Sequence, residues 1–155
     1  MSKPILPPPV WFLLSLLGVW SVSGPFAIEA LDFESPLDGR VAQGLAMLGL
    51  ALGLVAIAQF LHRKTTVHPM HPEEASALVT GGIYRLTRNP MYVCMLLILL
   101  AAVLHFGNWL GLVPVTVFVL VIQLTQILPE ERALADKFGD DYRAYKARVP
   151  RWLIV

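Results

Sequence analysis

Two stretches of this 155-residue chain carry the side chains best suited to bind and align a small molecule: residues 80–92 (TGGIYRLTRNPMY) and 129–152 (PEERALADKFGDDYRAYKARVPRW). Arg88 offers a planar guanidinium that can hold a carboxylate through two parallel hydrogen bonds. Glu130 and Glu131 offer carboxylates for an ammonium or hydroxyl group, and Tyr84 and Tyr92 offer aromatic faces that attract a cation. No metal-ligand set or nucleophile–base pair accompanies them. The chemistry they favour is one that needs reactants held in line in a dry site. His68 and His71 have a spacing that could clamp a metal, but they stand among prolines with no cysteine nearby and are not expected to do so. The single cysteine, Cys94, lies in an apolar run, can form no internal disulfide, and is expected to pack.

The elements that must position these residues are apolar. The chain is 56% hydrophobic and 15% charged, whereas soluble domains carry nearer a quarter of their residues as charges. The expected fold class is therefore an all-α polytopic membrane protein of one domain with about four transmembrane helices. The spans read as residues 10–31, 41–61, 91–106 and 109–128, with a C-terminal segment over 129–155. Pro25 and Pro114 are expected to kink spans one and four. Gly49 and Gly53 form a small-xxx-small pair that permits close helix contact in span two.

Orientation follows from the bases. Eleven of the twelve Lys and Arg fall in the N-terminal arm, the 62–90 connection and the tail, while Arg40 alone lies between spans one and two. Bases stay on the cytoplasmic side in short loops, so both termini are expected to be cytoplasmic, with Asp32, Glu34 and Asp38 outside. Lys3, the apolar run and the small residues Ser21, Ser23 and Gly24 also fit a cleavable signal peptide; its removal would leave the remaining topology unchanged. The net charge is +1 and the bases are not interleaved with aromatics on a soluble face, so no nucleic-acid partner is expected.

The tail reads as an amphipathic helix. Pro129 suits a first helical position, Glu130 and Glu131 suit the positive end of the helix dipole, and Leu134, Phe138, Tyr142 and Tyr145 recur at helical spacing. Gly139 followed by Asp140 is expected to break it into two pieces. With both polar stretches on the cytoplasmic face, each abutting the end of a span, they can form one polar site backed by an apolar helical wall.

The pairing of GGIYRLTRNPMY with PEERALADKFGDDYRAYKARVPRW, separated by one hydrophobic hairpin, resembles the superfamily of isoprenylcysteine carboxyl methyltransferases and phospholipid methyltransferases. The likeness covers roughly Leu78 to Trp152, about half of the chain. Gly82, Tyr84, Arg88, Pro90 and Tyr92 match the family's G-x-Y-R-x-x-R-H-P-x-Y pattern, and Glu130 and Glu131 match its paired glutamates. Asn89 replaces the histidine of that pattern, and Cys94 stands where a glycine often follows.

The resemblance implies an S-adenosylmethionine-dependent methyltransferase, its cofactor bound between the cytoplasmic helix ends and the C-terminal segment. The residues it implies at the cofactor are Gly82, Tyr84, Arg88, Asn89, Pro90, Tyr92, Glu130 and Glu131, with Arg88 and Glu131 nearest the chemistry. S-adenosylmethionine presents a carboxylate, an ammonium, ribose hydroxyls and a sulfonium, which the residue types above suit. The acceptor would be lipid-soluble or membrane-presented: a carboxylate, an amine or a thiol. An NADPH-dependent membrane reductase of the sterol type and a noncatalytic protein on the same scaffold are the alternatives.

Overall fold

A computed structural model describes residues 6–35, 39–62 and 77–153. His68, His71, Arg63, Lys64 and Asp38 lie outside the described residues. Among the described residues, five α-helices run in chain order: α1 (Pro8–Ser23), α2 (Arg40–His62), α3 (Pro90–Phe106), α4 (Leu112–Ile122) and α5 (Leu128–Arg148). Short 3₁₀ turns at Glu29–Leu31, Gly82–Arg85 and Trp109–Gly111 lie between them, and a π-helical turn over Gln123–Ile127 connects α4 to α5. Among the described residues no strand forms; one antiparallel bridge links Asp32 to Asn108.

The ends of α3 follow directly from its residues. Pro90 occupies the first helical position, where its missing N–H would have had no partner, and Gly107 closes the helix at φ +68°. The first span is shorter than the expected 10–31, because α1 stops at Ser23. Pro25 does not kink this helix but ends it: a residue before proline is driven out of the α region, and Gly24 sits at φ −126°, ψ −97°.

A second difference lies at the tail. The segment 129–155 was expected to begin a separate helix at Pro129, but α4 runs without interruption through the π turn into α5. Proline has no N–H to give to the carbonyl four residues earlier, and its ring crowds that carbonyl; widening the helix just before Pro129 accommodates both. Gly139, at φ +51° and ψ −121°, then breaks the helical path as expected. That conformation suits a residue without a Cβ.

Val19, Leu99, Val103, Val115, Phe118 and Ile122 form a core between α1, α3 and α4. Helix α2 packs chiefly on α3, closely enough that a Cβ on Gly53 would stand 2.7 Å from Cys94 Sγ. Gly49 and Gly53 thus serve internal packing. The outer faces are apolar instead of polar: Leu13, Leu17, Met47, Leu54, Val117 and Leu124 are all exposed. So large an apolar surface suits lipid, not water.

Among the described residues, two helical stretches are long and apolar enough to cross a membrane, Arg40–Gln59 within α2 and the run Trp109–Arg148 that contains α4 and α5. Helices α1 and α3, with 16 and 17 residues, are shorter. At about 1.5 Å per residue they reach about 24–26 Å against a hydrocarbon core of ~30 Å. At the end of the bundle away from both polar stretches, the fully buried Asn108 donates to Ile28 O (3.2 Å) and to Asp32 Oδ1, and Phe33 N donates to Gly107 O (2.7 Å). This latch ties the loop after α1 to the α3–α4 turn.

Candidate functional site

At the opposite end, the 3₁₀ turn Gly82–Arg85, the first turn of α3, the start of α5 and residues 149–153 converge. Gly82 has φ +59°, and a Cβ there would collide with the side chain of Gln59 on α2. With its amide oriented to satisfy both atoms, Gln59 donates to Gly81 O (3.1 Å) and accepts from Ile83 N (3.2 Å). The positive φ is what favours glycine at position 82, and a side chain there would also displace the Gln59 amide from the loop. Pro90 is buried at the start of α3. Tyr84 is also buried, and its carbonyl accepts from Tyr145 Oη at 2.7 Å.

The chain beyond α5 forms a strap over the Thr87–Asn89 segment. Arg88 N donates to Pro150 O (2.9 Å), while Thr87 Oγ1 (2.9 Å) and Asn89 Nδ2 (3.0 Å) both donate to Arg151 O. Trp152 Nε1 donates to Gln123 Oε1 (3.0 Å) on the π turn. The Asn89 amide thus fastens the strap, and its backbone N–H donates to Thr87 Oγ1 (3.1 Å).

The strap delivers Arg151 to Glu131. Arg151 donates through Nε to Oε1 (2.8 Å) and through its Nη2 to Oε2 (2.9 Å), a bidentate pair. One terminal guanidinium nitrogen of Arg88 stands 2.9 Å from Glu131 Oε1, and Lys146 Nζ stands 3.5 Å from Oε2. The Glu131 and Arg88 side chains are only 7% and 8% exposed. Arg88 Nε, also buried, meets no acceptor among the described residues.

Glu130 points elsewhere. Its Oε1 accepts from Tyr92 Oη at 2.7 Å, and it makes no ion pair with any described residue. The two adjacent carboxyls are consequently driven apart. Burial pushes Glu130 up to about 7, and the Glu131 charge adds to the rise, against the Tyr92 hydrogen bond. Burial also acts to raise Glu131, but the Arg151 hydrogen bonds and the charges of Arg88, Arg151 and Lys146 outweigh it and hold this carboxyl below its ordinary value. Burial raises Tyr142 to about 12.

The structure brings Arg88, Tyr84, Tyr92, Glu130 and Glu131 to one end of the bundle, with Asn89, Gly82 and Pro90 shaping the backbone between them. Arg151, Thr87, Gln59 and Tyr145 have parts in the assembly that their sequence context does not announce. Arg151 reads as one more cytoplasmic base; its only distinguishing mark is its place between Pro150 and Trp152, beyond the periodic helix. Cys94 lies away from the site, against α2. Chemically, the site pairs a buried cation that has a spare donor with two carboxyls of opposite character and a wall of phenols.

A family model described as phospholipid methyltransferase matches residues 39–141. Protein-S-isoprenylcysteine O-methyltransferase of Schizosaccharomyces pombe is 28% identical over 109 residues, covering 64% of this chain and 46% of that protein. Cobalt-zinc-cadmium resistance protein CzcN of Cupriavidus metallidurans is 31% identical over 144 residues, covering 86% of this chain and 61% of that protein. Methanethiol S-methyltransferase 1 of Bradyrhizobium diazoefficiens is 38% identical over 71 residues, covering 45% and 24%. The chain spans less than two thirds of the length of each of these three relatives.

Proposed function

The chain belongs to the phospholipid methyltransferase family, and from that premise we propose that it transfers methyl groups from S-adenosylmethionine to a lipid-soluble or membrane-presented acceptor. The observation that carries this reading is Arg88, a guanidinium buried beside Glu131 with an Nε donor that nothing in the described chain fills. An unfilled buried donor is costly, and a carboxylate ligand would satisfy it. S-adenosylmethionine brings such a carboxylate and, when bound, supplies a methyl group on a positively charged sulfur.

Each residue's part follows from its surroundings. Arg88 would hold the carboxylate, while Glu131 fixes the Arg88 guanidinium in place. Tyr84 and Tyr92 would line the pocket, with Glu130 beside them, and Gly82, Asn89 and Pro90 hold the loop that carries Arg88. The apolar helices exclude water and keep the reactants aligned. We read the molecule as one domain crossing the bilayer four times, α4 with the π turn forming the fourth span, both termini on the cytoplasmic side with the bases. Acceptors would reach the site from the bilayer.

Calorimetric titration of S-adenosylmethionine and of NADPH into the purified protein in detergent tests this. S-adenosylmethionine is expected to bind and NADPH not. Arg88→Lys keeps the charge but loses the planar fork. Losing a charged hydrogen bond worth roughly 1.5–3 kcal/mol weakens binding by about one to two decades. NADPH binding in place of S-adenosylmethionine would move the assignment to a membrane reductase, and binding of neither would leave a noncatalytic scaffold.

A further inference from the structure

We propose that Glu130, held by the Tyr92 hydroxyl, is the proton acceptor of the reaction, and that the methyl acceptor is therefore an X–H nucleophile, a thiol or an amine. The inference rests on the methyltransferase reading above and adds to it a residue role and an acceptor class.

Two carboxyls adjacent in sequence project about 100° apart on a helix and meet different surroundings. Glu131 is saturated: its oxygens take the Arg151 fork, the Arg88 contact and the Lys146 ammonium. It stays ionised and cannot exchange a proton near neutral pH. Among the described residues Glu130 takes one hydrogen bond, from Tyr92 on α3. Among the described residues, the other titratable groups acting on it are Tyr84 from the 3₁₀ turn and Tyr142 and Glu131 from α5. These are phenols and a carboxylate, with no cation among them. A half-buried carboxyl so placed changes charge near neutral pH, where a general base works best. Paired groups whose environments drive them apart are the signature of divided acid–base roles. A carboxylate acceptor arrives ionised and would leave this group idle.

The step balances as follows. The proton of the thiol S–H, or of the ammonium N–H in which an amine acceptor arrives, passes to a Glu130 carboxylate oxygen, and the lone pair so freed on sulfur or nitrogen forms the new bond to the methyl carbon. The bond from that carbon to the donor's sulfonium breaks, its electron pair remaining on sulfur. Glu130 then releases the proton to water at the membrane face.

The test uses the full chain in lipid nanodiscs. Without cofactor, the infrared carbonyl band of a protonated carboxyl should titrate with a midpoint near 7 and vanish in Glu130→Gln. In Tyr92→Phe, which removes a hydrogen bond to the charged form, the midpoint should rise. With S-adenosylmethionine, transfer is then measured to dodecanethiol, to phosphatidylethanolamine in vesicles, and to farnesylcysteine carboxylate. Transfer to the thiol or to the amine is expected, whichever is used identifying the source, with kcat/KM rising about tenfold per pH unit below 7 and levelling above. Glu130→Gln should lower kcat by about 100-fold or more, with the S-adenosylmethionine dissociation constant shifting less than threefold. Transfer to the carboxylate alone, a flat pH profile, or a Glu130→Gln variant that loses cofactor affinity at unchanged kcat would each overturn the proposal. A wild-type protein that binds no S-adenosylmethionine would instead sink the methyltransferase reading itself.

Discussion

Replacing Glu131 with glutamine should destabilise the fold and weaken cofactor binding together, and the size of the first effect can be worked out from the structure. Glutamine keeps the volume and can still accept one hydrogen bond from Arg151, but it removes the negative charge facing Arg88. Exposed ion pairs contribute only about 0–1 kcal/mol, and the Lys146 contact, half exposed and 3.5 Å away, belongs to that class. Arg88 does not: its side chain is 8% exposed, and stripping the partner from a buried charge costs about 3–5 kcal/mol. The residual Arg151 bond places the expected loss near the low end, about 3 kcal/mol, a large fraction of the ~5–15 kcal/mol that holds a domain together.

The effect carries a pH signature with a definite sign. The folded-state pKa of Glu131 lies below its ordinary value of 4.5. Its stabilisation is therefore fully present above that value and is lost as pH falls through the folded pKa. Wild type and Glu131→Gln should converge in acid and diverge at neutral pH. Reversible unfolding in detergent micelles, repeated with Arg88→Gln and the double variant, measures both. The double variant should be more stable than the summed single losses by about 1–3 kcal/mol, because removing Arg88 relieves the charge that the first substitution stranded. An additive cycle, or a Glu131→Gln loss under about 1 kcal/mol at pH 7, would refute the claim that this carboxylate organises the site.

Two further outcomes follow from the strap and the charge pattern. Asn89→His retains a side-chain donor for Arg151 O and should keep S-adenosylmethionine affinity within about tenfold, whereas Asn89→Leu, leaving that carbonyl one donor short, should cost about 1 kcal/mol of stability by thermal unfolding. In a Cys94→Ala background, cysteines at Ser35 and Ala147 should label from opposite sides of sealed vesicles, Ala147 only from the cytoplasmic face; labelling of both from one side would overturn the proposed topology.

The residues that end helices were legible where their chemistry is local. Arg40–His62 and Pro90–Phe106 fall within one residue of the spans read from hydropathy, and in the second Pro90 favours a helix start while Gly107 readily closes one. Hydropathy overran at Pro25, because Phe26, Ile28 and Leu31 are apolar yet lie beyond the residue where the α path ends. The junction at Pro129 was legible as a proline but not as a π turn: whether a proline starts a new helix or widens an existing one depends on the turn before it, which periodicity does not record. Arg88 and Glu131, drawn from the two polar stretches, meet 2.9 Å apart. Which of the paired glutamates would be neutralised by cations and which left to a phenol depends on the helix facing, and that rests on packing.

The strap explains why the asparagine in place of the family's histidine is compatible with an intact site. Position 89 precedes Pro90, so its backbone is held away from the α region, at φ −129° and ψ 54°, and its side chain is free to face the C-terminal segment instead of capping α3. What that location asks of a side chain is a donor for Arg151 O, and Thr87 already supplies one. An amide meets the demand at every pH; an imidazole meets it with one ring nitrogen and adds a titratable charge close to two arginines. With asparagine there, the groups near the site that change charge around neutral pH reduce, among the described residues with a resolved shift, to Glu130. In the proposed reaction the substitution would leave proton exchange to one carboxyl, and the position that fastens the strap would stay independent of it.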